Sequence, residues 1–437
     1  MSDTISFIKK RFSDYYRDAD LYLPDRFGRR EWGFMFFEGG FMQRHLGFQS
    51  VDKVKQFLVQ KVPAHVYHSS AYYQTPDAPS MREKGWLGAD LIFDLDADHV
   101  KGAKRMSYEE TLRKVKEEFK KLIDKFLLDD FGFEEKQLLI VFSGGRGYHI
   151  HIRDPRVLQL KSHERREMLD YITGKDVDMK LIFKQEPFDK RSFGPHVKVM
   201  HRVLMPDKNA GGWKKKMREG LLNLTDELEN LGEKEAIKKL SEFKGIGKIR
   251  AKGIYSELFE GDKGNRGVDR MRNEGIIEIF SDDKYRNPFL EIVKGEASVK
   301  IEGKKGHDEE EYTKPLSGKK EQEGESDEPV TSDIKRLIRL PSSLHGKTGL
   351  KVMPLSRDGL DDFDPLRDAV PKIFSDEPVK IEVKKPVRVK LKNEAFDLKE
   401  GEVEVPEYAA IFLMCRRNAE LFPANRSLRT SAIHSLQ

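Results

Sequence analysis

The chain has 437 residues, too many for one ordinary compact domain, so two or three units are expected. Lys plus Arg (80) nearly balances Asp plus Glu (75), leaving a net charge of +5, so any basic surface for an anionic partner must be local. Hydrophobic residues at 38%, with 27 Phe and 13 Tyr, exclude global disorder. The single cysteine, Cys415, excludes an intramolecular disulfide and a Cys-rich zinc site, and fits a reducing intracellular setting. The longest apolar run, Tyr408 to Cys415, is too short to span a bilayer, and the first residues do not read as a signal peptide. A soluble cytoplasmic protein without a membrane partner is expected.

In chain order, Ile5, Ile8, Phe12 and Tyr15 or Tyr16 recur at helical spacing. A short strand is predicted over 30–37, a helix over 51–60 and an extended aromatic stretch over 65–73. The clearest strand runs from Leu87 to Asp98. Leu91, Phe93 and Leu95 share one parity, and Asp90, Asp94, Asp96 and Asp98 the other, so the acids line one face. A helix follows at about 107–128, opened by the capping-box pair Ser107 and Glu110. Strand 137–142, a glycine-rich turn 143–147 and strand 148–152 come next. Residues 212–260, rich in Lys, Glu and Leu, read as helices. Within them Phe243 to Ile254 (FKGIGKIRAKGI) resembles a helix-hairpin-helix, whose glycine turn offers backbone N–H groups to a phosphate; a plain helical insert is the simpler reading. Residues 303–329 are almost wholly polar and charged and read as a linker. Strands are predicted at 379–383 and 387–391, and a helix over 407–420.

Three constellations carry chemistry. Asp94-Leu95-Asp96 puts two carboxylates on one side of a strand, where like charges repel unless cations sit between them; Mg²⁺ or Mn²⁺ with oxygen ligands answers that need. A solvated acidic strand end is the bland alternative. Ser143-Gly144-Gly145-Arg146-Gly147-Tyr148-His149 places an obligate cation and an imidazole beside glycines that let a phosphate approach; a plain hairpin turn is its alternative. Ser332 to Gly349 (SDIKRLIRLPSSLHGKTG) holds an acid, several cations and His345. Gly346-Lys347-Thr348 suggests a Walker loop, but that pattern requires glycine where Pro341 stands. What remains is a basic, His-bearing loop suited to a triphosphate or a nucleic-acid backbone, or a basic surface hairpin.

In order, DLIFDLDAD, SGGRGYHIHI and SDIKRLIRLPSSLHGKTGLKVMPL resemble the small catalytic subunit of the archaeal and eukaryotic DNA primase, over roughly residues 1–210 and 330–392. REWGFMFF at 30–37 and YYQTPDAPSMREKGWLGADLIF at 72–93 support the likeness. It implies a mixed α/β (α+β) fold with a primase catalytic core over 1–211 and 331–392; composition and periodicity place a helical insert at 212–302, a charged linker at 303–330 and a C-terminal helix and tail at 393–437 between and after these parts. It also implies template-directed nucleotidyl transfer that makes short primers on single-stranded DNA from nucleoside triphosphates. Asp94, Asp96 and Asp333 would hold the catalytic Mg²⁺ or Mn²⁺. Ser143, Arg146, His149, Arg339, His345 and Lys347 would bind the nucleotide. A large primase subunit would be the partner. The chain departs from the family in lacking its cysteine-bearing zinc module, so no structural zinc is expected, and in the length of 212–330. A repair-type primase-polymerase and a non-catalytic nucleic-acid scaffold are the competing readings. The polymerase reading requires three aspartates, distant in sequence, to meet opposite the cations.

Overall fold

The computed structural model describes residues 2–97, 106–193, 196–243, 245–277, 283–299 and 330–423. The expected linker at 303–329 and the last fourteen positions, 424–437, lie outside these. The fold is mixed α+β, and the chain divides into two compact units. One comprises Met1–Ile123, Gly132–Glu167 and Lys300–Gln437; the other comprises Asp124–Phe131 and Met168–Val299.

The first unit opens with α1 (Asp3–Asp18), capped by the Ser2 hydroxyl and burying Ile8, Phe12 and Tyr16 at the spacing the sequence predicts. Then come β1 (Trp32–Met35), β2 (Met42–Leu46), α2 (Val51–Lys61) and β3 (His65–Ser69). The aromatic stretch continues as β4 (Ala71–Tyr73), paired with β5 (Trp86–Ala89). The predicted strand over 87–98 is broken at Asp90, and β6 (Leu91–Leu95) starts after it. The break turns Asp90 to a buried partner: its carboxylate takes a 2.6 Å hydrogen bond from Arg30 and another of 2.6 Å from the Tyr72 hydroxyl. Leu91, Phe93 and Leu95 are all buried, and burial of each full side chain stabilises by about 1.5–3 kcal/mol. Helix α3 (Tyr108–Lys121) carries the predicted capping box and runs on as a π-helix over Leu122–Leu128. Strands β7 (Leu138–Phe142) and β8 (Tyr148–Ile152) flank the glycine turn.

Helix α4 (Ser162–Thr173) leads into the second unit, which contains α5 (Met179–Ile182), the hairpin β9 (Gln185–Phe193) and β10 (His196–Val203), and then helices. Helix α6 (Gly212–Ser241) kinks at Gly232, where φ is +71°. After a turn in which Gly245 takes a positive φ come α7 (Lys248–Phe259), α8 (Gly267–Glu274) and α9 (Asp283–Ala297). Leu221, Leu228, Leu240, Ile254, Leu258 and Phe289 are buried in this unit.

Returning to the first unit, β11 (Leu337–Arg339) and β12 (Met353–Leu355) complete two antiparallel four-stranded sheets, of order β11-β3-β1-β2 and β12-β7-β8-β6. Short helices α10 (Arg357–Asp362) and α11 (Pro365–Asp368) follow. A three-stranded sheet is built from β13 (Pro378–Val383), β16 (Gly401–Pro406) and β17 (Ala419–Leu421), with a hairpin of β14 (Val387–Leu391) and β15 (Glu394–Leu398). The predicted final helix is shorter than expected: α12 (Glu407–Cys415) stops so that the chain can turn back, with Arg417 at φ +59°, and add β17 to β13.

Candidate active site

Asp94 lies on β6 directly across from His149 of β8, so strand pairing sets the acidic and basic motifs side by side. The turn between β7 and β8 is shaped for close approach. A Cβ at Gly147 would collide with the Leu95 carbonyl, and one at Gly144, which has φ +78°, would lie 2.7 Å from Cβ of His345. Glycine is needed at both places, once against the acidic strand end and once against the basic loop. The Ser143 hydroxyl accepts hydrogen bonds from the N–H groups of Gly145 and Gly147, at 3.4 and 3.3 Å, and so works within the turn. Arg146 reaches from this turn to Asp96, with Nε 3.8 Å from Oδ1.

The basic segment is held from several sides. The Tyr15 hydroxyl of α1 donates to the Ser342 carbonyl at 2.6 Å, and the Tyr16 hydroxyl accepts from the Leu344 N–H at 3.1 Å. Strand β11 pairs with β3, which sets Arg339 opposite Tyr67, with its guanidinium 5.1 Å from the ring centroid. The Thr348 hydroxyl donates to the Gly144 carbonyl at 2.6 Å, and its oxygen lies 3.1 Å from Nδ1 of His345. Because that hydroxyl proton is already given away, the His345 Nδ1 is the donor there.

Electrostatically the site opposes two acids to a cationic surround. Burial, then the neighbouring Asp96, raises the Asp94 carboxyl to about 7, and Arg336 and Arg339 oppose the rise. Burial and Arg339 push His149 down to about 3, so its imidazole is neutral at pH 7. Lys347 and Arg416 add positive charge around His345. Two carboxylates this close form a donor set suited to a hard divalent cation.

The structure thus gathers Asp94, Asp96, Arg146, His149, Arg339 and His345, with Ser143 inside the turn and Lys347 within electrostatic reach of His345. It does not bring Asp333 to the pair. That carboxylate caps its own turn, accepting from the Lys335 N–H at 2.8 Å, and its charge is felt at Tyr73 and Arg165. Arg165 binds the carbonyls of Ala89 and Asp90, at the start of β6, whereas Asp94 is four residues further on, about 13 Å along an extended strand. Among the described residues no group of three or more His, Cys, Asp or Glu side chains is arranged to hold a metal ion. Sequence reading also missed His65, Arg336 and Arg416. The first sat in a stretch read only as extended and aromatic, the second went unremarked inside a motif that was otherwise noted, and the third carries no sequence signal at all.

Comparison with known proteins places the chain in a family. The family model for the DNA primase small subunit matches residues 93–356. The DNA primase small subunit PriS of Methanocella arvoryzae is 40% identical over 425 residues, covering 96% of this chain and 99% of that protein. Its counterpart in Methanothrix thermoacetophila is 40% identical over 423 residues (96% and 99%), and that of Methanococcoides burtonii 42% over 426 residues (95% and 98%). No helix among the described residues is long and apolar enough to cross a membrane. The chain belongs to the DNA primase small subunit family.

Proposed function

We propose that this chain is the catalytic subunit of a DNA primase. It joins nucleoside triphosphates on a single-stranded DNA template into short RNA, or DNA, primers, and works with a large primase subunit. The observation that carries the reading is the pairing of Asp94 with His149, which sets two carboxylates beside a glycine turn and a cationic loop.

Asp94 and Asp96 would hold Mg²⁺ or Mn²⁺, which supplies a Lewis acid that eases deprotonation of the attacking 3′-hydroxyl and screens the leaving pyrophosphate. Arg146, Arg339 and Lys347 neutralise the triphosphate and fix its orientation, so that the α-phosphorus faces the hydroxyl in line. His149, neutral at pH 7, offers a phosphate oxygen one N–H without adding charge. His345, with its Nδ1 proton committed to Thr348, directs Nε2 along the turn at Gly145. A third carboxylate for the cations is expected from outside the described residues, since Asp333 caps a turn elsewhere.

The test is incorporation of labelled nucleotides on single-stranded DNA, with each nucleotide type and with Mg²⁺ or Mn²⁺. Template-dependent products from the wild type and none from Asp94→Asn support the reading. Equal synthesis by both proteins overturns it. Co-purification with a large primase subunit separates replicative priming from a repair-type enzyme.

A further inference from the structure

His65, the first residue of β3, is buried, yet its ring meets two groups from the basic segment. Nδ1 lies 2.6 Å from the Arg339 guanidinium and 3.3 Å from the backbone nitrogen of Gly346. A guanidinium and a backbone amide can only donate, so Nδ1 carries the lone pair and the ring proton sits on Nε2. Burial, with the charges of Arg339 and Lys347, holds the ring well below its ordinary pKa and keeps that lone pair available.

The two donors come from opposite ends of the segment: Arg339 closes β11, and Gly346 opens the Gly-Lys-Thr turn. The backbone at Gly346 is pressed close, since a Cβ there would lie 2.7 Å from both Cβ and the carbonyl oxygen of Ala64. The His345 ring meets His65 edge-on, with centroids 4.8 Å apart, and through Thr348 continues to the Gly144 carbonyl of the turn that bears Arg146. One imidazole therefore sets the register of Arg339 and Lys347 against Arg146.

We infer that His65 is a positioning residue for the nucleotide triphosphate, holding Arg339 and the Gly346–Lys347 backbone in the geometry that receives the phosphates. The inference rests on the proposed function, because it assumes that Arg339 and Lys347 bind phosphate. Freezing a guanidinium before substrate arrives removes an ordering cost from binding. His65 touches no reacting atom.

The experiment measures ATP and inorganic tripolyphosphate binding by calorimetry on the full chain, alongside incorporation kinetics, for His65→Ala, His65→Asn and Arg339→Ala. Asparagine presents an acceptor near the position of Nδ1. His65→Ala is expected to weaken both ligands, and to raise KM, about tenfold or more, with kcat changed less. His65→Asn should recover most of the loss. Adding His65→Ala to Arg339→Ala should cost little more, because the partner is already gone. Tripolyphosphate binding by His65→Ala within twofold of wild type overturns the inference. So does an Asn variant as weak as the Ala variant when both unfold at the same temperature. If wild type binds ATP but makes no product, the proposed function fails while the binding comparison still judges His65.

Discussion

The two units keep their polar groups in different places. In the first, Arg30, Glu31, His65, His68, Lys84, Asp90, His149, His151, Arg165 and His345 are all buried. In the second, the core is mainly aliphatic and aromatic, the pair of Lys216 with Asp130 at 2.6 Å is a buried exception, and most charge is spent on exposed pairs such as Lys238 with Glu235. Burying charge is costly unless every group is partnered, whereas exposed pairs contribute about 0–1 kcal/mol. The unit that carries the acids and the cationic loop is thus the one built on costly interior polarity. The helical unit gets its stability more cheaply and keeps little chemistry inside.

The comparison is broken most severely at the acids. Asp94→Asn or Asp96→Asn is expected to lower primer synthesis by about a thousandfold or more while leaving the fold intact, as read by incorporation assay and circular dichroism. Residual synthesis near wild type would remove the metal assignment. Next comes the interior ion pair. Arg30→Met strands the Asp90 carboxylate, both partners being nearly inaccessible, and should cost about 3–5 kcal/mol in denaturant unfolding. In the helical unit, Leu228→Ala should cost about 2–5 kcal/mol and leave KM for nucleotide unchanged. A shift in KM would show that the chemistry is not confined as described.

Asp94 also gives the metal-free protein a pH signature. Its carboxyl sits near 7 in the fold against an ordinary value of 3.8, so the native state keeps a proton that the unfolded chain releases. Stability from this group is complete below about pH 4, falls as pH rises toward 7, and levels off above. In chelator, Asp94→Asn should flatten that slope and be more stable than wild type at pH 8, as thermal melts at pH 5 and 8 would record. The smallest effect is expected at Asp333. Removing one turn-capping hydrogen bond should cost about 0.5–1.5 kcal/mol and leave synthesis largely intact. An Asn scan of Asp98, Asp282, Asp308 and Asp327, the aspartates outside the described residues, would then test whether one of them is needed for synthesis. Loss of synthesis in Asp333→Asn instead would restore it as a ligand.

Much of the site could be read from the sequence because its spacing is local. Asp94 and Asp96 stand two residues apart at the end of β6, and Arg146 and His149 sit within and just after a turn of three glycines. The misplaced residue has a geometric cause. Strand β11 runs antiparallel to β3, so moving upstream from Arg339 leads away from Asp94, toward Ser69 and the start of β6. The nearest acid in sequence is therefore carried to the wrong end of the sheet. His65 was invisible for a related reason, standing 274 positions from Arg339 on a strand whose partner no periodicity reveals. The break at Asp90 went unread because the alternation continues through it; only the buried guanidinium explains it. The shortened last helix was missed because its sequence stays apolar while the sheet edge at β13 takes the chain.

The late return of β11 and β12 has a consequence for how the protein is made. On the ribosome, β3 and β7 emerge early and can pair with β1 and β8, but their second partners, β11 and β12, are translated only after the whole helical unit. Until then each nascent sheet presents an open edge, a template for aggregation, and closure must wait for contacts of high sequence separation. A chain released before Leu337 would lack both closing strands, so quality control would meet two sheets with open edges and no assembled acid–base cluster.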